Sequence, residues 1–290
     1  MNENIHPRLV GTVILVVVLL WLSALLTQAG AGGTTKKTVA ATPTPTPTPT
    51  GPAIASSGKA TVFLLGGSSA RESIVSNSAW SKQLSRVAHA KVRAYDLGAR
   101  NETFAQDMGL VKKMPKGPNL VLIGLTVGRY TPLPSQSAPP LALLSAGAEV
   151  KHQYATPLSS STKQRLVDRW VSDRYPVFQQ NFAHNADRLD QLVKLVLQRK
   201  FHPVLLQLPL NLQAVGSAFD RPRAKYQSDA RRLAAKYKIP YLDFLKEVKL
   251  PSSTFYDLFH LVPPGRQQWQ THLSEEVTSL LVADKLVAGK

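Results

Sequence analysis

The sequence predicts an α/β domain in which a parallel sheet carries helices on both faces. Two observations point there. Five short strand-like runs alternate with longer helix-compatible segments. Strands joined by helices of that length pair in parallel and need both faces covered. Moreover, the chain before Ala55 cannot supply a core, so about 230 of the 290 residues remain, a length that suits one such domain.

The first element is not globular. Leu9 to Leu26 reads LVGTVILVVVLLWLSALL, an uncharged run long enough to cross a bilayer as a helix. A secretory signal peptide is the competing reading, since Ala29-Gly30-Ala31 offers small residues for cleavage. The run exceeds the usual core of a signal peptide, which favours a retained anchor. Residues 1–28 are therefore tail and transmembrane anchor (or signal peptide), and the short N-terminal tail suggests N-terminus in, domain out. Residues 29–58 form a linker whose Thr-Pro alternation from Thr42 to Thr50 prevents helix and sheet ladders and favours an extended stem.

Residues 59–290 carry the α/β pattern. Predicted strands are Ala60–Leu65, Lys91–Asp96, Asn119–Leu125, Pro203–Leu208 and Pro240–Phe244. Predicted helices are Ser73–Ala90, Glu102–Lys113, Thr162–Lys200, Arg221–Lys238 and a last one from near Pro264 towards Lys285. The long helix should break or kink before Pro176, and its Trp170, Tyr175, Phe178 and Phe182 read as packing. Tyr130 to Ser161, rich in Pro, Ser and Ala, is too long for an ordinary connection and is a candidate lid or binding loop. In such a sheet, functional residues are expected in loops at the carboxyl ends of the strands.

Composition narrows the chemistry. The chain has no cysteine, which excludes disulfides, thiolate metal sites and cysteine nucleophiles. Net charge is +17; Glu3, Arg8, Lys36 and Lys37 contribute +2 of it, leaving +15 on the folded part. That excess favours anionic partners, phospholipid head groups or cell-wall polymers before nucleic acid, because the anchor puts the domain outside the cytoplasm. His89, His152, His184 and His202 lack metal-ligand spacing and read as surface or packing residues.

Two stretches can carry chemistry. In Thr61-Val-Phe-Leu-Leu-Gly-Gly-Ser-Ser-Ala-Arg-Glu-Ser73 an apolar run ends in two glycines and two serines, followed by a helix-compatible segment. A buried strand can deliver a nucleophile in this way, with glycines permitting the tight turn and a helix start offering free N–H groups. The same letters also describe a plain Gly-Ser turn. In Phe255-Tyr-Asp-Leu-Phe-His-Leu-Val-Pro-Pro-Gly265, Asp257 and His260 are spaced so that one short turn holds the carboxylate beside the imidazole. Arg71 and Glu72 read as a local ion pair or a partner for the helix end.

Taken together and in order, these blocks resemble the SGNH (GDSL-like) hydrolase superfamily, including its membrane-associated acyltransferase-like branches, over about Thr61 to Leu281. Gly66-Gly67-Ser68 stands where that family has Gly-Asp-Ser, and Gly98 matches the glycine after the second strand. Gly124-Leu-Thr-Val127 takes the place of Gly-x-Asn-Asp, and Asp257 to His260 is the final Asp-x-x-His. Gln207-Leu-Pro-Leu-Asn211 also resembles the strand-end segment before the last helices.

The resemblance implies a flavodoxin-like three-layer α/β/α fold and acyl-ester chemistry without metal or organic cofactor. It makes Ser68 the nucleophile (Ser69 if the motif starts at Gly67), His260 the general base and Asp257 its orienting partner. The N–H groups of Ser68 and Gly98 would line the oxyanion hole, with Thr126 in the place of the family's asparagine. Asn101 is a candidate substitute donor and substrate contact, and Arg129 a candidate contact for an anionic substrate. The expected activity is that of an esterase on acylated cell-envelope carbohydrate or lipid. An O-acyltransferase on the same triad and a non-catalytic domain binding anionic wall polymer are the alternatives.

Overall fold

Alternating side chains on five parallel strands divide the core in two. A computed structural model describes residues 59–133 and 149–287. The predicted membrane segment Leu9–Leu26, the linker and residues 134–148 of the long loop lie outside the described residues, among which no helix is long and apolar enough to cross a membrane.

The elements run β1 (Thr61–Leu65), a helical turn α1 (Ser68–Arg71), α2 (Asn77–Val87), β2 (Arg93–Asp96), α3 (Phe104–Lys113) and β3 (Asn119–Leu125). After the long loop come α4 (Ser160–Arg169), a π turn (Trp170–Arg174), α5 (Tyr175–Gln198), β4 (His202–Gln207), the short α6 (Leu212–Val215), α7 (Asp220–Tyr237), β5 (Tyr241–Leu242) and α8 (Pro263–Ala283). Strand order is β2-β1-β3-β4-β5, and every pairing is parallel. That is the flavodoxin-like order, with its switch point between β1 and β3.

Phe63, Leu65, Val121, Ile123 and Leu205 face one layer of helices, chiefly α3, α5 and α7. Val62, Leu64, Leu120, Leu122, Val204 and Leu206 face the other, where α2 and α8 bring Trp80, Leu84, Trp269 and Leu273. Each such side chain, fully buried, contributes about 1.5–3 kcal/mol. These two cores are the physical content of the three-layer α/β/α arrangement.

Three local departures from the predicted elements have clear causes. The helix expected over Ser73–Ala90 is shortened to Asn77–Val87. Ser73 Oγ bonds back to the Ala70 carbonyl at 2.7 Å, and Ser76 accepts the Ala79 N–H at 3.0 Å as the cap of a new helix. The break expected before Pro176 takes the form of the π turn; proline has no N–H and its ring collides with the carbonyl four residues back, which the wider turn relieves. The edge strand expected over Pro240–Phe244 shrinks to Tyr241–Leu242, paired with β4 alone.

Candidate active site

Ser68 begins α1, immediately beyond β1 at the switch point. Its approach depends on Gly66, whose φ is +154° and where an added Cβ would stand 2.8 Å from the Ala70 Cβ. The chain can thus fold straight back from the strand end into a helical turn, leaving Ser68 half-buried at the surface.

The His260 loop comes from the far end of the domain, between β5 and α8. Its neck is closed by an antiparallel bridge from Phe255 to Leu261 and by the Tyr256 N–H to the His260 carbonyl at 2.8 Å. Asp257 Oδ1 accepts the N–H groups of Phe259 (2.8 Å) and His260 (3.0 Å), which fixes the carboxylate. Asn211, fully buried just beyond β4, donates its side-chain amide to the Asp257 carbonyl at 3.1 Å and to Ser252 Oγ at 2.9 Å. Lys163 of α4 reaches the Ser252 carbonyl at 2.6 Å.

This frame brings the predicted residues into one hydrogen-bonded chain. His260 Nδ1 lies 2.7 Å from Asp257 Oδ2, and His260 Nε2 lies 2.8 Å from Ser68 Oγ. The histidine reaches Ser68, not Ser69. Because the carboxylate only accepts, Nδ1 carries the proton and Nε2 accepts from the serine hydroxyl. Burial pushes the Asp257 carboxyl up, but the hydrogen bond and charge of His260 and the two N–H groups outweigh it and leave it below the usual carboxylate range. The His260 and Asp257 side chains are 13% and 17% exposed, so both are largely shielded from solvent, and Ser68 is half-buried. The arrangement can activate a serine hydroxyl for attack on a carbonyl.

The remaining predicted residues fare differently. Gly98 does pack against the nucleophile turn: a Cβ there would stand 2.7 Å from the Arg71 nitrogen and 2.9 Å from the Gly67 carbonyl. Its N–H, however, is donated to Asp96 Oδ1 at 2.7 Å rather than left for an oxyanion. Asp96 ends β2, and its side chain captures the amide two residues on. Full burial pushes the Asp96 carboxyl up to about 7, against the pull of the Gly98 N–H. Thr126 is buried where β3 ends, next to β1, and borders a narrow crevice with Val127, Leu210 and Phe259. The Ser68 N–H, first in its helical turn, has no intrahelical partner.

One expectation is overturned. Arg129 is not a surface contact for an anionic substrate: it is 3% exposed, paired with the buried Asp107 and laid over the Phe104 ring at 4.3 Å. Its position as the third residue of a 3₁₀ turn after β3 points it into the core, where a guanidinium needs a carboxylate. Asn101 stands exposed with φ of +55° in the loop after Gly98.

Sequence reasoning missed a second group beside the Ser68–His260–Asp257 chain. Glu72, which pairs with Arg71 at 3.2 Å as expected, is fully buried and also meets Arg266 of α8, His152 and the Gln153 N–H. Tyr154 lies against the His260 ring, centroids 4.8 Å apart. The one signal in the sequence was His152-Gln-Tyr154, a polar-aromatic island in an otherwise Pro-, Ser- and Ala-rich loop. Among the described residues no three acidic or histidine side chains converge as metal ligands.

No protein-family model matches the chain, and neither does any curated protein sequence. Among solved structures, the chain is similar to an acetylxylan esterase from Geobacillus stearothermophilus, at 13% identity and a TM-score of 0.47 over 76% of this chain and 94% of that one. It is also similar to a member of the lipolytic protein G-D-S-L family from Veillonella parvula, at 10% identity and a TM-score of 0.46 over 76% and 98%.

Proposed function

We propose that this chain is an SGNH-type serine esterase acting on acyl esters of cell-envelope carbohydrate or lipid. The observation that carries the reading is the hydrogen-bonded run from Ser68 through His260 to Asp257, assembled from residues at opposite ends of the domain. Support for placing the domain outside a bacterial membrane comes from the sequence: the apolar Leu9–Leu26 run and the Thr-Pro stem after it. The basic surplus on the domain suits an anionic envelope surface.

In the reaction, Ser68 Oγ bonds to the ester carbonyl carbon as its proton passes to His260 Nε2. Collapse of the tetrahedral adduct breaks the carbon–oxygen bond to the alcohol, which leaves with that proton. Water then attacks the acyl-serine, giving a proton to Nε2, and Ser68 recovers it as the acid departs. Asp257 stays ionised and stabilises the imidazolium. The Ser68 N–H and the Thr126 hydroxyl would receive the oxyanion, and the Gly98 N–H would join them once it leaves Asp96.

A serine-directed fluorophosphonate tests this. The parent should label, and Ser68→Ala should not; His260→Ala should label at least about 10³-fold more slowly. The Gly98–Asp96 bond and the threonine in the third donor place favour a second reading, a non-catalytic domain on the same scaffold that binds anionic wall polymer. Absence of label in the folded parent would select it.

A further inference from the structure

Residues 149–159 cross the mouth of the site and are tied down at every step. Glu149 accepts the N–H groups of Asn77 and Ser78 at 2.9 and 3.1 Å, closing the N-terminus of α2. His152 is held at both nitrogens, with Glu72 Oε2 3.1 Å from Nδ1 and the Val75 carbonyl 2.9 Å from Nε2. Both partners are acceptors, so both contacts are hydrogen bonds only when the ring carries two protons. The Gln153 N–H donates to Glu72 Oε1 at 3.0 Å, and its side chain accepts from Arg71 at 3.1 Å. The Tyr154 carbonyl accepts from Arg266 at 2.5 Å, and the Leu158 N–H donates to the Tyr256 carbonyl at 2.8 Å.

Glu72 is common to most of these ties. It sits in the nucleophile turn, and through it the strap, the turn and α8 share one buried carboxylate. What the strap delivers is Tyr154, whose ring stacks on Tyr256 at 4.2 Å and leans over His260 at 4.8 Å. An imidazole that must keep one nitrogen on Asp257 and the other on Ser68 has one productive rotamer. A ring packed against its face restricts rotation and sheds water from the hydroxyl–imidazole bond.

We propose that residues 149–159 form a docked strap that completes the site, with Glu72 as its latch and Tyr154 as a positioning residue for His260. The proposal rests on the reading of Ser68, His260 and Asp257 as a triad. The ring face of Tyr154, not its hydroxyl, does the positioning, so Tyr154→Phe should behave as the parent.

The test uses the full chain in detergent and three readouts. In hydrogen-exchange mass spectrometry, Glu72→Gln should speed exchange of peptides within 149–159 about ten-fold or more while β1 and β3 stay protected. Should Glu72→Gln fail to fold, His152→Ala removes the strap's side-chain tie to Glu72 and leaves the Arg71 and Arg266 pairs intact. In proton NMR, Tyr154→Ala should broaden or lose the low-field proton between His260 and Asp257, and Tyr154→Phe should keep it. Fluorophosphonate labelling of Ser68 should fall about ten-fold in Tyr154→Ala and in Glu72→Gln, with little further loss in the double variant. Unchanged exchange across 149–159 in folded Glu72→Gln or His152→Ala, or a parent-like proton in Tyr154→Ala, overturns the proposal. A parent that never labels overturns the esterase reading instead, and the exchange and NMR readouts still decide the strap.

Discussion

Glu72 and Glu102 are both buried beside the loops around the Ser68 turn, yet their carboxyls are pushed in opposite directions. Glu72 is surrounded by donors: Arg71, Arg266, His152 and a backbone N–H. Burial pushes its carboxyl up, but the His152 and Gln153 hydrogen bonds and the Arg266 charge more than offset it, leaving Glu72 below the usual carboxylate range. Glu102 accepts the Ala99 N–H at 2.6 Å but shares its pocket with Asp107 and the single cation Arg129. Burial first, then the Asp107 charge, pushes the Glu102 carboxyl well above the usual range. The local count of cations per carboxylate, not depth, decides which way each buried carboxyl shifts and which one can act as a latch.

The largest break in that comparison should come from Arg129→Met. It strands the buried Asp107 without its cation, and denaturant unfolding should show a loss of about 3–5 kcal/mol. A loss below about 1 kcal/mol would mean the pair is dispensable.

Asp96 is the intermediate case, fully buried with a backbone N–H and more distant cations. Its folded value of about 7 lies above the ordinary 3.8, so between these the native state binds more protons than the unfolded chain. Stability therefore falls as pH rises from about 4 to about 7, on the order of 4 kcal/mol in all. Asp96→Asn should flatten that slope in unfolding curves across the window; a parallel slope would show that Asp96 is not its source.

Glu72→Gln comes next, costing about 2–3 kcal/mol at neutral pH as Arg266 and His152 lose their shared anion. Because the folded carboxyl lies below its unfolded value, that contribution is present above the unfolded value and disappears as pH falls through the folded one. Parent and variant stabilities should converge in acid. The smallest effect belongs to Glu102→Gln, which keeps shape and neutrality and should stay within about 1 kcal/mol of the parent by the same measurement. A Glu102→Gln loss equal to that of Glu72→Gln would erase the distinction between the two clusters.

Much of this was legible in the letters. The five strands appear within two residues of their predicted starts; the central β1, β3 and β4 stand out because a run buried on both faces must be largely apolar. Asp257 and His260 were legible because a three-residue turn is a local matter, and Ser68 because a strand ending in Gly-Gly announces a fold-back. Arg129 and the Gly98 N–H were misjudged for a shared reason. Each was assigned by its place after a strand, while its partner, Asp107 or Asp96, depends on which way the loop turns.

The sequence by itself determined the layer order of strands and helices, the reach of the serine turn and the pairing of Asp257 with His260, all set by periodicity and short-range geometry. Tertiary structure alone decided that Ser68 meets His260 across the domain, that Glu72 rather than Glu102 gathers several cations, and that Tyr154 packs against the imidazole. Those outcomes depend on how many donors, acceptors and charges converge on one buried point, and that number is fixed only when distant segments pack together.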